Sequence, residues 1–389
     1  MIPYLICFLS TILFTYIAEI NFKKKRKIVG IIFSICAILI PSIMAGIRDM
    51  TIGSDTSGYP LNIFNKSKMY NNFKIVLENT NEEFGFVLLG YVTSLLTSDI
   101  HYYLFFIELI TMSFIYLFAY YKRDKVPMCF FITIYMLMCY SESLCIMRQH
   151  IALAIFLYSI KFLEQKKYIR MSLLFLLSTQ LHTTAVVGII IYILYILEES
   201  KLTKKKKNII YCIIISCIIV MIIQYSNIVN LLIYRLKILP ERYSIYFAEG
   251  KYYNDIINFS SSRIIFKLFW LMITIISFYV KKVNKMEDTK NEKICILLFI
   301  IDILIYIFSL RFIVLSRMSY FLFYPAIFLS LKSLNNICKK DTFNQIICYI
   351  IIISIFIVYF YVTIVRNADI EGGYNTYPYR SDIIINLFK

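Results

Sequence analysis

Three observations predict an all-α, polytopic membrane fold. Apolar residues make up 60% of the 389, against about half in a soluble domain. Mean hydropathy is +0.71. Apolar runs of roughly 16–22 residues, the length an α-helix needs to cross a bilayer, recur from end to end. Poor in glycine and proline, the chain shows no soluble stretch long enough to fold alone. Residues 1–389 therefore read as a single integral membrane domain.

The first run opens at Met1-Ile2-Pro3 with neither a basic leader nor a small-residue cleavage site, so it reads as a retained helix and not a signal peptide. In order, the predicted spans are about 3–20, 28–45, 100–121, 126–141, 145–163, 168–182, 183–197, 208–225, 263–280, 293–310, 312–331 and 345–365, about twelve in all. The pair 168–182 and 183–197 is short and meets at LHTTA, a length that one long segment would also satisfy. Basic clusters decide for two. These are KKKRK at 23–27, KRDK at 122–125, Lys166-Lys167 with Arg170, KKKK at 204–207, Lys281-Lys282 and Lys339-Lys340. The positive-inside rule puts all of them in the cytoplasm. That requires 168–197 to cross twice and 84–98 to be a half-depth or surface helix on the outer side. Both termini, the loops 46–99 and 226–262, and the tail 366–389 then face outward.

The formal net charge of +17 needs no nucleic acid to explain it. The positive charge sits mainly in short loops that meet the anionic inner leaflet. No P-loop, zinc spacing or nucleic-acid module accompanies it. The 10 cysteines are scattered through apolar runs without CxxC or Cys/His clustering, and read as small buried hydrophobes. Neither a metal nor a cofactor is expected. No convincing repeat is visible, which weighs against the two-halved architecture common among transporters.

The chemically interesting residues gather on the outer side. GIRDMTIGSDTSGY at 46–59 sets Arg48, Asp49, Asp55 and Tyr59 directly after an apolar run. Gly53 permits a tight turn, so Arg48 and Asp55 can approach each other, as a loop ion pair or as a ligand site. MRQHIALAI at 147–155 opens a helix with Arg148, Gln149 and His150. There, free N–H groups and the helix dipole favour an anion, and interfacial snorkelling of Arg148 is the alternative. His182 stands at a turn beside Thr183 and Thr184, as a structural group or as a base or donor. Arg317 lies a few residues into an outer-to-inner helix with Tyr320 and Tyr324 on the same face. The outer loop 226–262 adds Arg242, Tyr243, Tyr246, Phe247, Tyr252 and Tyr253, aromatics suited to sugar rings or to an interfacial belt. Glu108 and Asp302 fall near mid-span, where pairing inside the bundle is the simpler account and a proton path the other.

As an ordered set these motifs resemble the EpsG family of exopolysaccharide polymerases, related to the Wzy-type O-antigen and capsule polymerases. GIRDMTIGSDTSGY looks like its G-x-R…x-G-x-D-x-x-x-Y signature. NEEFGFVLL at 81–89, with Glu83, resembles its acidic-aromatic segment. MRQHIALAI resembles its R-Q-x-x-A helix, LHTTA its histidine turn, and YPYR at 377–380 its C-terminal Pro-Tyr element. Thr184 replaces the serine usual in the histidine turn and keeps a hydroxyl. The resemblance implies a membrane glycosyltransferase of the broad GT-C type acting at the outer face of the cell membrane. Its substrate would be an oligosaccharide repeat unit on undecaprenyl pyrophosphate. A flippase and a chain-length regulator are the partners it suggests.

Arg48, Arg148 and Arg317 suit the lipid pyrophosphate, because a guanidinium offers two-point contacts to phosphate oxygens. Tyr59, Glu83, Gln149 and Tyr320 are expected to line the substrate site. Asp55 and His182 are the candidates to accept the proton of the attacking hydroxyl, in a transfer without a metal. Two other classes fit the same outer-face chemistry: a flippase of the lipid-linked glycan, and an O-antigen ligase or glycan-modifying acyltransferase.

Overall fold

The computed structural model describes residues 1–224, 261–283, 290–309, 313–338, 342–368 and 374–383. The outer loop 226–262, with Arg242 and its aromatics, lies outside the described residues apart from its last two positions, and so does Arg311. Among the described residues every regular element is helical.

The chain divides into two compact units, residues 1–185 with 338–389, and residues 186–337. The first unit begins with α1 (Ile2–Lys23) and α2 (Lys27–Gly46). Pro3 is tolerated at the start of α1, where its missing N–H has no partner to lose. Pro41 lies inside α2, and its carbonyl accepts the Tyr140 hydroxyl at 2.8 Å.

Within the segment read as the outer loop 46–99, a helix occurs where the half-depth or surface helix 84–98 was expected, and residues 59–70 and 73–80, read as loop, are helical too. The segment holds α3 (Tyr59–Tyr70), α4 (Phe73–Thr80) and α5 (Phe84–Leu96). Pro60, Ile63, Phe64 and Ser67 are buried along α3, the i, i+3, i+4, i+7 spacing of one helical face. A search for long apolar runs passes over such a helix because its other faces are polar. At 13 residues α5 spans about 20 Å, shorter than the roughly 30 Å hydrocarbon core.

Next comes α6 (Ile100–Lys122), capped by Asp99, which accepts the His101 N–H at 2.9 Å. After it, α7 runs over Met128–Ser143 with a π-turn at Met136–Tyr140. It is followed by α8 (Met147–Glu164) and α9 (Tyr168–Leu181). The last helix of this unit is α15 (Thr342–Phe360).

Chain direction and contacts separate two ends in this unit. At one end, Lys122 pairs with Glu164 at 2.6 Å, and Glu19 accepts the Cys129 N–H at 3.0 Å. The basic clusters 23–27, 122–125 and 166–170 belong to this end. At the other end the end of α2 meets the start of α6, where His101 Nδ1 lies 2.6 Å from the Gly46 carbonyl. Here Tyr4, Phe8, Tyr140, Phe360 and Tyr379 pack edge to face, a geometry that ring quadrupoles favour.

The second unit holds α10 (Ile189–Glu199), α11 (Lys204–Ile223), α12 (Ser261–Val283), α13 (Lys290–Ser309) and α14 (Ile313–Cys338). Its core carries a buried ion pair. Lys267 lies 2.5 Å from Asp302 and donates to Ser319 at 2.8 Å, and Ser319 in turn donates to Asp302. Mid-span Asp302 is therefore paired inside the bundle.

A helix occurs at each predicted span. Among the described residues five of the helices are long and apolar enough to cross a membrane: Ile2–Lys23, Lys27–Gly46, Ile100–Lys122, Arg263–Val283 and Phe343–Val365. These mark the chain as a membrane protein.

Candidate functional site

The residues with functional chemistry in the first unit collect at the end opposite its basic clusters. The motif loop after α2 is held from two sides. On one side, the Asp49, Gly53 and Ser54 N–H groups donate to the carbonyls of Arg380, Asn375 and Tyr374, at 3.0, 2.9 and 3.2 Å. Tyr379 donates to Met44 O at 2.6 Å, and Tyr4 to Thr376 O at 2.6 Å. The Pro-Tyr element at 377–380 thus lies along the motif loop. On the other side, Ser54 Oγ lies 3.0 Å from Cys145 Sγ in the turn between α7 and α8. Gly53 adopts φ +84°, and a Cβ there would sit 2.4 Å from the Leu144 carbonyl. Only glycine meets both demands.

Arg48 is 1% exposed. Its guanidinium donates to Ala45 O at 3.0 Å, to Thr56 Oγ1 at 3.4 Å and to Met147 Sδ at 3.0 Å, while Nε has no partner. The ion pair with Asp55 that the loop spacing allowed does not form. The next residue, Thr56, turns inward to the guanidinium, and Asp55 stays half-buried, its carbonyl accepting from the Gly58 and Tyr59 N–H groups. Burial pushes the Arg48 pKa down from the ordinary arginine value, against the opposing pull of Tyr140 and Glu108. Beside it, Asp49 accepts from the Thr51 N–H and hydroxyl, each at 2.8 Å, which holds its carboxyl below the usual range.

Arg148 opens α8 and is neither snorkelling nor unoccupied. Its Nη1 donates to Glu83 Oε2 at 2.9 Å and to Glu82 Oε2, and its guanidinium lies over the Tyr59 ring at 3.8 Å. Such stacking suits the flat, weakly hydrated guanidinium. Asp55 is among the charges that act on it.

Glu83 immediately precedes α5, and its other oxygen faces the end of α9. Oε1 lies 3.2 Å from His182 Nδ1, and 3.4 Å from the Thr183 hydroxyl. On the far side of the ring, Gln149 Nε2 lies 3.0 Å from His182 Nε2. His182 itself is 5% exposed. Helix α9 ends at Leu181 and a 3-10 turn follows over Thr183–Gly188, which fixes the histidine at the break.

The structure therefore joins Tyr59, Glu83, Arg148, Gln149 and His182 into one connected cluster, next to Arg48 through Met147. It adds Glu82, Thr56 and Tyr379, which sequence reasoning did not assign to the site. Arg317 and Tyr320 lie on α14 of the second unit, both half-buried, with Tyr320 5.2 Å from the Tyr324 ring. Glu108, on α6, accepts from Ser143 at 3.0 Å, a pairing inside the bundle.

Long apolar helices, with a buried arginine and an arginine–carboxylate–histidine cluster where they end, define a membrane protein with a polar site at one end of its first unit. The chain belongs to the EpsG family, whose model matches residues 31–381. No curated protein and no solved structure matches it.

Proposed function

We propose that this protein is a membrane glycosyltransferase that joins undecaprenyl-pyrophosphate-linked oligosaccharide repeat units into exopolysaccharide, a role shared with capsule and O-antigen polymerases. One observation carries the reading. The five segments that resemble the family lie far apart in sequence, yet they meet at one end of the first unit through the contacts of Asp49, Arg48, Arg148, Glu83 and His182.

That end is the outer face in this reading, because the opposite end carries the Lys and Arg clusters of cytoplasmic loops. About twelve crossings of the cytoplasmic membrane, outward termini and a GT-C-like architecture complete it. Arg48 and Arg148 hold the pyrophosphate, so that arginines and not a metal neutralise the departing group, and Arg317 of the second unit is a further substrate-binding residue. Tyr59 and Tyr320 offer faces to the sugars. Asp55 or His182 takes the proton of the attacking hydroxyl. A flippase that supplies the repeat unit and a chain-length regulator act alongside.

Deletion of the gene tests the reading through the glycan it leaves. Loss of polymerisation yields single repeat units and no long chains. Lipid-linked units trapped inside the cell would point to a flippase instead, and unattached polymer to a ligase.

A further inference from the structure

We infer that Glu83 and Gln149 are positioning residues for His182, which together make its Nε2 the atom that accepts the proton. This rests on the glycosyl-transfer reading, and it moves both residues from substrate contact to the support of the imidazole.

The geometry argues it from both sides of the ring. A carboxylate oxygen only accepts, so Glu83 Oε1 at 3.2 Å calls for a proton on Nδ1. The Gln149 amide nitrogen only donates, so its 3.0 Å approach calls for a lone pair on Nε2. Both contacts select the same neutral tautomer. Glu83 is itself held by Arg148, through the oxygen that the histidine does not use. Arg148 thus reaches the ring through Glu83, and among the described residues Glu83, Arg148 and Glu82 form a chain of charges that ends on His182, with Asp55 acting on Arg148.

Gln149 occupies the one direction in which Nε2 can accept. An acceptor sugar hydroxyl that displaces the amide finds the lone pair already aimed at it. In the transfer step the hydroxyl proton moves to Nε2 and the oxygen forms the new bond to the anomeric carbon. The bond from that carbon to the lipid pyrophosphate breaks, and its electron pair leaves with the pyrophosphate. The imidazolium is stabilised by Glu83 until it returns the proton to water.

The test uses the full chain in nanodiscs with isotope-labelled histidine. The protein contains 3 histidines, and His182→Gln assigns the signal. Wild type is expected to show the Nδ1–H tautomer. Glu83→Gln removes the charge that favours imidazolium, so the midpoint falls by about 1–3 pH units, and the Nδ1–H preference, then held mainly by Gln149, weakens. Gln149→Met removes a donor to the neutral form, so the midpoint rises while the tautomer stays. In a polymerisation assay the acid limb of the rate profile moves in the same two directions. Glu83→Gln also loses about 10²-fold in rate, and Glu83→Asp restores part of it. A wild-type Nε2–H tautomer, or an unchanged midpoint in Glu83→Gln, overturns the inference. Unchanged thermal stability in both variants separates positioning from collapse of the fold. If the wild-type chain makes no polymer, the polymerase reading fails, and the tautomer result alone decides the positioning role.

Discussion

Glu83 bridges Arg148 and His182 with its two oxygens, the arginine at 2.9 Å and the imidazole Nδ1 at 3.2 Å. One carboxylate thereby ties the start of α8 to the break after α9, across 99 positions of sequence to the histidine. The bridge also fixes how charge is distributed. Arg148 faces two carboxylates, Glu82 and Glu83. Arg48 faces a carbonyl, a hydroxyl and a thioether. Glu108 acts on Arg48 without a hydrogen bond, so of the two Arg48 is the one with no carboxylate bound directly to its guanidinium.

That difference separates the arginines experimentally. Loss of one charged hydrogen bond to phosphate costs about 1.5–3 kcal/mol, on the order of 10–100-fold. Arg48→Ala and Arg317→Ala are expected to weaken donor use by that factor with the pH profile unmoved. Arg148→Ala is expected to lower the rate and also to shift the acid limb upward, because Glu83, released from the arginine, acts undivided on His182. Lysine rescues only in part, since it lacks the planar two-point contact. Normal polymer length in all three alanine variants, at matched protein level, would reject the assignment.

Gly53→Ala tests the loop that holds Arg48. The backbone there is left-handed, and the added Cβ would sit 2.4 Å from Leu144 O. Strain at such a position is of order 1–3 kcal/mol, and here the obstacle is backbone that has no side chain to swing away. The variant is expected to melt at lower temperature and to lose polymerisation. Gly58→Ala, where a Cβ would meet only Asp55 O at 3.5 Å, is expected to retain both. Equal stability of the two variants would show that the motif loop does not depend on the φ of Gly53.

Long apolar runs made the helices legible, because crossing a bilayer demands a length that shows without any partner. Arg48, Arg148 and His182 stood out for a related reason, as polar groups at the edges of such runs. What joins them was not legible. A loop ion pair with Arg48 was one of two readings of Asp55, near it in sequence, yet Thr56 takes that place. Glu83 was expected at the substrate site, and nothing local points it at a histidine so far along the chain. Helix α3 could have been found, because Pro60, Ile63, Phe64 and Ser67 repeat at helical spacing, but a membrane-length window averages that signal away. The partner of Asp302 needed the fold itself, since Lys267 lies on a separate helix and reads in sequence as one more lysine.

That last pair supports the final prediction. Lys267, Asp302 and Ser319 come from α12, α13 and α14, and Asp302 is fully buried. Breaking a buried pair from one side leaves a bare charge, at a cost of about 3–5 kcal/mol, whereas replacing both partners with apolar groups is often neutral or stabilising. Lys267→Met alone and Asp302→Leu alone are therefore expected to lower the unfolding temperature of the purified protein. The double variant is expected to recover most of the loss. Simple additivity of the two single effects would mean that the charges do not act as a pair. Activity then separates the two roles open to a mid-membrane carboxylate. If the pair only joins helices, the stable double variant polymerises normally. If Asp302 carries protons, the double variant folds and makes no polymer.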